Sequence, residues 1–217
     1  MPFPRLLLLI ALLAFLVAFV QMGVISIAFE KLGLSPESAY LLLLTTLFGS
    51  LVNLPLFSVA SSWSPTELPA PLQRVFRFDH PPFAGRTVVA VNVGGCVTPV
   101  AFSLFLLART QVPLYEELLT VAAVAAMSYN FSRPIAGVGI GMPIFIAPLT
   151  AALVAAAVGT EQRAVLAYVG GTLGVLIGAD VLRLGSIRQL GVPFASIGGA
   201  GTFDGIFISG IVAVLLA

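Results

Sequence analysis

One histidine, one cysteine and one tryptophan are all that 217 residues contain of those three types, and each scarcity closes off a class of chemistry. With Cys96 alone, no disulfide forms within the chain, and with His80 as the only imidazole no His/Cys metal centre can be assembled. Charge is scarce as well. Asp, Glu, Lys and Arg make up 9% of the residues, where a water-facing shell takes roughly a quarter. Ten basic against nine acidic residues leave a net charge of +1, which gives no electrostatic footprint for nucleic acid. The sequence implies no metal and no cofactor.

Hydrocarbon is what the chain has in abundance: 59% of residues are hydrophobic and the mean hydropathy is +1.10. Apolar runs such as LLLLIALLAFLVAFV reach the length of about 20 residues that crosses a ~30 Å hydrocarbon layer as helix. A β-barrel would instead need alternating strands of about 10 residues. The expected fold is therefore all-α, a polytopic transmembrane helical bundle of about seven spans. These fall at 6–29, 39–60, 87–108, 114–128, 134–158, 164–184 and from near Ile197 onward, with broken or re-entrant glycine-rich segments in the C-terminal half. The first run follows Arg5 and continues to Phe29 without an A-x-A-like cleavage site, so it reads as a membrane helix rather than a signal peptide.

The chain reads as one membrane domain over 1–217: N-terminal helices at 1–60, a cytoplasmic amphipathic loop at 61–86, and a glycine-rich helical core at 87–217 that carries the site. Arg5, Arg74, Arg77, Arg86, Arg133, Arg183 and Arg188 collect on one side, against Lys31, Arg109 and Arg163 on the other. The excess places the N-terminus in the cytoplasm and the protein in the cell inner membrane. In the proline-rich loop Trp63 is expected at headgroup level, and His80, beside Asp79, reads as a solvated residue. Cys96, in VGGCVTP, reads as a small packing residue.

Two acids stand out in the second half. Gly170, Gly174 and Gly178 repeat every four residues, as do Gly137 and Gly141, in the small-x-x-x-small pattern that lets helix backbones approach closely. On a helical wheel Asp180 lies off the centre of the first stripe, toward a different neighbour. Asp204 stands inside the final apolar run between Gly201 and Gly205. A carboxylate at such depth is costly without a partner, water or a proton. Asp180 and Asp204 lie on spans joined by a short connection, so the two acids are expected to meet. Two adjacent carboxylates cannot both ionise cheaply; one keeps its proton while the other takes one from water, the arrangement for aspartic-type hydrolysis of a peptide. Gly199, Gly201 and Gly205 would let an extended substrate lie against the backbone.

The stretches LGVPFASIGGAGTFDGIFISGIVAVLLA and IGADVLRLGSIRQ resemble the membrane-protein family catalogued as domain of unknown function 1614, over roughly the C-terminal half. More remotely they resemble the GxGD intramembrane aspartyl proteases, the presenilin, signal-peptide-peptidase and prepilin-peptidase group. That resemblance implies a catalytic pair at Asp180 and Asp204 and a transmembrane peptide substrate. Thr202 and Phe203 separate Asp204 from the second glycine where the proteases have none, and Ala179 stands where presenilin-like enzymes have tyrosine. Ala147-Pro148-Leu149 is a permutation of their Pro-Ala-Leu element, which puts Pro148 among the candidate substrate contacts.

Two other readings stand beside this one. A proton- or ion-coupled transporter or channel would use the broken segments NFSRPIAGVGIGMP and ASIGGAGTFDG, with Asn130, Ser132 and Arg133 on the solute and the two acids as coupling groups. A purely structural role would pair Asp180 with Arg183 on one helix and use Asp204 as the cap of a helix starting at Gly205. In every reading membrane lipid is the first partner.

Overall fold

A computed structural model describes residues 23–61, 85–158, 161–199 and 205–217. Residues 23–31 form helix α1. Ser35 then caps α2 (Pro36–Gly49): its hydroxyl accepts the Ser38 N–H at 3.3 Å, and proline opens the first turn. The Glu37 carboxyl is held below its ordinary range by its own backbone N–H and then by the Ser35 hydroxyl.

After α2 the chain extends. Asn53–Ala60 forms β1 and Arg86–Asn92 forms β2, an antiparallel pair with a register shift between Pro55 and Phe57. The run TVVAVN is dominated by β-branched valines, which suit a pleated, half-buried strand. Phe194–Ile197 is β5, lying parallel to β2 from Val88↔Phe194 to Val91↔Ile197, so the sheet order is β1-β2-β5. A π-helical turn, Val93–Val97, leads from β2 into α3 (Thr98–Arg109). Next come α4 (Leu114–Phe131), a short hairpin of β3 (Arg133–Ile135) and β4 (Gly139–Gly141), and α5 (Ile146–Val158). Helix α6 (Arg163–Val175) runs on into a second π-helical segment, Leu176–Val181. A 3-10 turn at Leu184–Gln189, then β5 and α7 (Gly205–Leu216), complete the described chain.

Helix α6 is the hub. It packs against α3, α4, α5 and α7 and is apolar or small on every face, as a helix sheathed by protein must be. Its glycine stripe meets α4. A Cβ at Gly170 would strike Thr120, one at Gly174 would strike Val124, and one at Gly178 would strike Ala125 and Ser128. Close approach on that stripe frees the other faces for larger packing, where Tyr168 stacks edge-on against Phe102 in a cluster with Phe29, Leu106 and Val214. The Phe, Leu and Val side chains of this cluster contribute about 1.5–3 kcal/mol each on burial.

The expected all-α bundle of about seven spans does not form. Residues 53–60, expected inside the second span, and 87–92, expected to open the third, lie in strands instead. Helix α2 stops at Gly49, and α2, α3, α5 and α7 have 12–14 residues each, short of the roughly 20 that cross a bilayer. Among the described residues one helix, Arg163–Val181, is long and apolar enough to cross a membrane by length and composition, and it is mostly buried inside the protein. Hydropathy measures aversion to water and does not distinguish lipid from protein as the refuge. The outward faces of α2 to α5 nevertheless leave Leu41, Phe48, Leu104, Leu118 and Leu153 exposed. Residues 6–22 of the first expected span, and the loop residues Trp63, Asp79 and His80, lie outside the described residues.

Candidate functional site

Asp180 sits in the π-helical segment that ends α6, and π-turns inside helices re-aim side chains at functional sites with unusual frequency. Its Oδ2 accepts the backbone N–H of Gly198 at 2.8 Å. Gly198 and Gly199 follow β5 with φ of +82° and +90°, a conformation that favours glycine. The turn is also tight. A Cβ at Gly198 would stand 2.6 Å from the Gly95 carbonyl carbon and 2.7 Å from the Cys96 Cβ, so the glycine pair wedges between the two π-helical segments. Cys96 is half-buried against this wedge.

A polar network holds the wedge from the sheet side. The Asn92 side chain caps the first π-turn, its Oδ1 accepting the Gly95 N–H at 2.7 Å while its Nδ2 donates to the Ser50 carbonyl at 2.7 Å. The same Nδ2 donates to Asn53 Oδ1 at 3.1 Å, and the Ser196 hydroxyl donates to that oxygen at 2.6 Å. Asn92 is fully buried, so these bonds fix the order in which β1, β2 and β5 present their ends.

Asp180 opens onto a cavity of about 420 Å³. Phe194 to Ile197 of β5 form one wall and Gly139 to Gly141 of β4 form another; Gly199, Ile206 and Ser209 close the α7 end. Among the described residues Asp180 is the one ionisable group on the lining, set among apolar side chains such as Val175, Leu184 and Ile187. Among the described residues β5 is the end strand of its sheet and β4 pairs with β3 alone, so a strand edge borders the cavity on each of these walls. The geometry suits an extended, mostly apolar ligand with one carboxyl group beside its backbone.

The other sequence candidates are placed as follows. Gly199 lines the cavity and Gly205 opens α7. Gly201 and Asp204 lie outside the described residues. Asn130, Ser132, Arg133 and Pro148 are not on the lining. Asn130 is exposed at the end of α4 and donates back to the Ala126 carbonyl at 2.9 Å. Arg133 is exposed on β3, and Pro148 is buried in the first turn of α5 beside Ala147 and Ala151. Ser132 is buried because Arg183 clamps the end of α4: the guanidinium donates to the Tyr129 and Ser132 carbonyls at 2.6 and 2.8 Å and lies 4.1 Å from the Tyr129 ring centre. Arg183 therefore serves α4. Sequence reasoning missed Gly198, Asn53, Asn92 and Ser196. The Gly-Gly pair was a readable turn signal, whereas the asparagines meet only through strand register.

A family model described as "Protein of unknown function (DUF1614)" matches residues 47–216, which takes in both strands of the antiparallel pair, both π-helical segments and the whole cavity lining. No curated protein and no solved structure matches the chain.

Proposed function

We propose that this chain, which belongs to the DUF1614 family by a match over far more than half its length, is an aspartic-type peptidase that hydrolyses extended, membrane-embedded peptides with Asp180 and Asp204. The observation that carries the reading is the cavity: an acid stands at the end of a strand-edged, apolar cleft. Gly199 and Ile206, which flank Asp204 in the chain, both line that cleft. The resemblance of the sequence around these acids to the GxGD proteases points the same way. The exposed leucines of α2 to α5 suit a protein surrounded by acyl chains.

In this mechanism a peptide pairs along the outer edge of β5, which supplies main-chain hydrogen bonds and leaves side-chain choice to the apolar walls. One carboxylate takes a proton from water as the water oxygen bonds to the scissile carbonyl carbon. The other, protonated, donates to the carbonyl oxygen. The tetrahedral gem-diol then collapses: one hydroxyl returns its proton to the carboxylate that had donated it, the C–N bond breaks, and the leaving amine takes the proton held by the other acid. The Gly198 N–H holds one oxygen of Asp180 in place at the cavity wall.

Purified protein with a single-span test peptide should cleave it, and Asp180→Asn or Asp204→Asn should each lower the rate by roughly 10²–10⁴-fold with unfolding temperature retained. Undiminished cleavage by either variant would overturn the assignment. Ion-dependent solute uptake into vesicles without cleavage would replace it with transport.

A further inference from the structure

Ser132 and Ala147 are both buried, and of residues 133–146 between them none is. This stretch nevertheless supplies Val138 to Met142 and Ile144 to the lining of the Asp180 cavity. Its hold on the rest of the molecule is light. β3 and β4 have three residues each, paired from Arg133↔Gly141 to Ile135↔Gly139, and a two-stranded hairpin of that size has little stability of its own. Outside itself it packs chiefly on the 3-10 turn Leu184–Gln189. Among the described residues one backbone bond ties its tip to the body, from the Gly137 N–H to the Leu190 carbonyl at 2.8 Å. Ile135 and Val138 are about half exposed, and Arg133 is exposed.

The two ends are firm. The Ser132 carbonyl and hydroxyl accept from the Arg183 guanidinium at 2.8 and 3.2 Å, and Ala147 stands in a core cluster with Ala151 and Leu166. Glycine supplies the joints between them. Gly137 has φ of +74° and Gly139 of +144°. A Cβ at Gly139 would meet nothing within 4 Å, so backbone freedom rather than crowding is what glycine provides there. Low burial and sparse tertiary bonds mark a segment that opens independently of the core. β5, by contrast, is paired with β2 over four residues.

We propose that residues 133–146 form a lid on the Asp180 cavity. In the closed state the Gly137–Leu190 bond is the latch. When it breaks, the hairpin swings about its anchored ends, β4 leaves the lining, and the interior is open as far as Ser209. Leu190 is 1% exposed and packs with Val89 and Ile187, so the hairpin moves and the latch partner stays. The lid serves the cavity whatever ligand fills it and does not rest on the peptidase reading.

The test uses the full chain purified in detergent, with no peptide added. By hydrogen exchange and mass spectrometry, the amides of 135–142 should exchange at least about a hundredfold faster than those of α6. Entry is read with a thiol. Ser209→Cys in a Cys96→Ala protein places a sulfur at the α7 end of the cavity, where Ser209 is 2% exposed, so that a charged methanethiosulfonate reaches it through an opening. Gly137→Pro deletes the latch N–H and cannot hold φ of +74°. It should speed labelling by roughly three- to tenfold, the worth of one hydrogen bond. Gly137→Ala keeps the N–H but is strained at that φ; it should shift the rate in the same direction, and it replaces the proline variant if that one does not fold. Hairpin amides as slow as those of α6, or a labelling rate that neither folded variant raises, would overturn the proposal.

Discussion

One backbone N–H joins the end of α6 to the turn after β5, where Asp180 accepts the amide of Gly198. That glycine is held by conformation and by space: its φ is +82°, and a methyl group there would meet the Gly95 carbonyl carbon and Cys96. Gly198→Ala is expected to cost about 1–3 kcal/mol in unfolding experiments and to abolish peptide cleavage, since the turn must move and release the carboxylate. Asp180→Asn keeps an oxygen that can accept the same N–H, so it should unfold like wild type while being inactive; equal destabilisation of both would refute this division of roles. Asp180 was legible in the sequence because a charge inside an apolar run always needs an explanation. Asn53, Asn92 and Ser196 were not, since a polar residue in a strand carries no sign of which strand will lie opposite it.

Among the elements, α6 and its glycine stripe decide the packing. Gly174→Val should drive its side chain into Val124 on α4 and lower stability by about 1–3 kcal/mol. Gly185→Ala, where no neighbouring atom lies within 4 Å, should change the unfolding midpoint very little. Comparable losses from the two substitutions would show that α4 and α6 are not held by close backbone approach. The stripe could be read from spacing alone, because a period of four on a helix always makes a line. The strands could not. TVVAVN and LPLFSVA are as apolar as the helices around them, so a hydropathy window merged them with their neighbours, and only β-branching, with Pro55 inside the first run, hinted at extended chain.

On the scale of the whole molecule, the inside and the outside are both oily. The helix best suited by composition to cross a bilayer is the one most enclosed by protein, while α2 to α5 turn leucine and phenylalanine outward. The protein is therefore expected to stay monodisperse in detergent or lipid and to sediment when detergent is withdrawn, as read by ultracentrifugation. A clear supernatant would assign the exposed leucines to contacts between protein chains. The apolar character was legible in composition; how much of it would be packed inside was not, because the same residues fill a core and cover a surface. One pairing also sets a timetable. Val88 to Val91 wait for Phe194 to Ile197, half the chain away, and closing so long a loop is slow. Until Phe194 to Ile197 have come back to β2 the wall beside Asp180 does not exist, so the cavity is a late product of folding whatever forms before it.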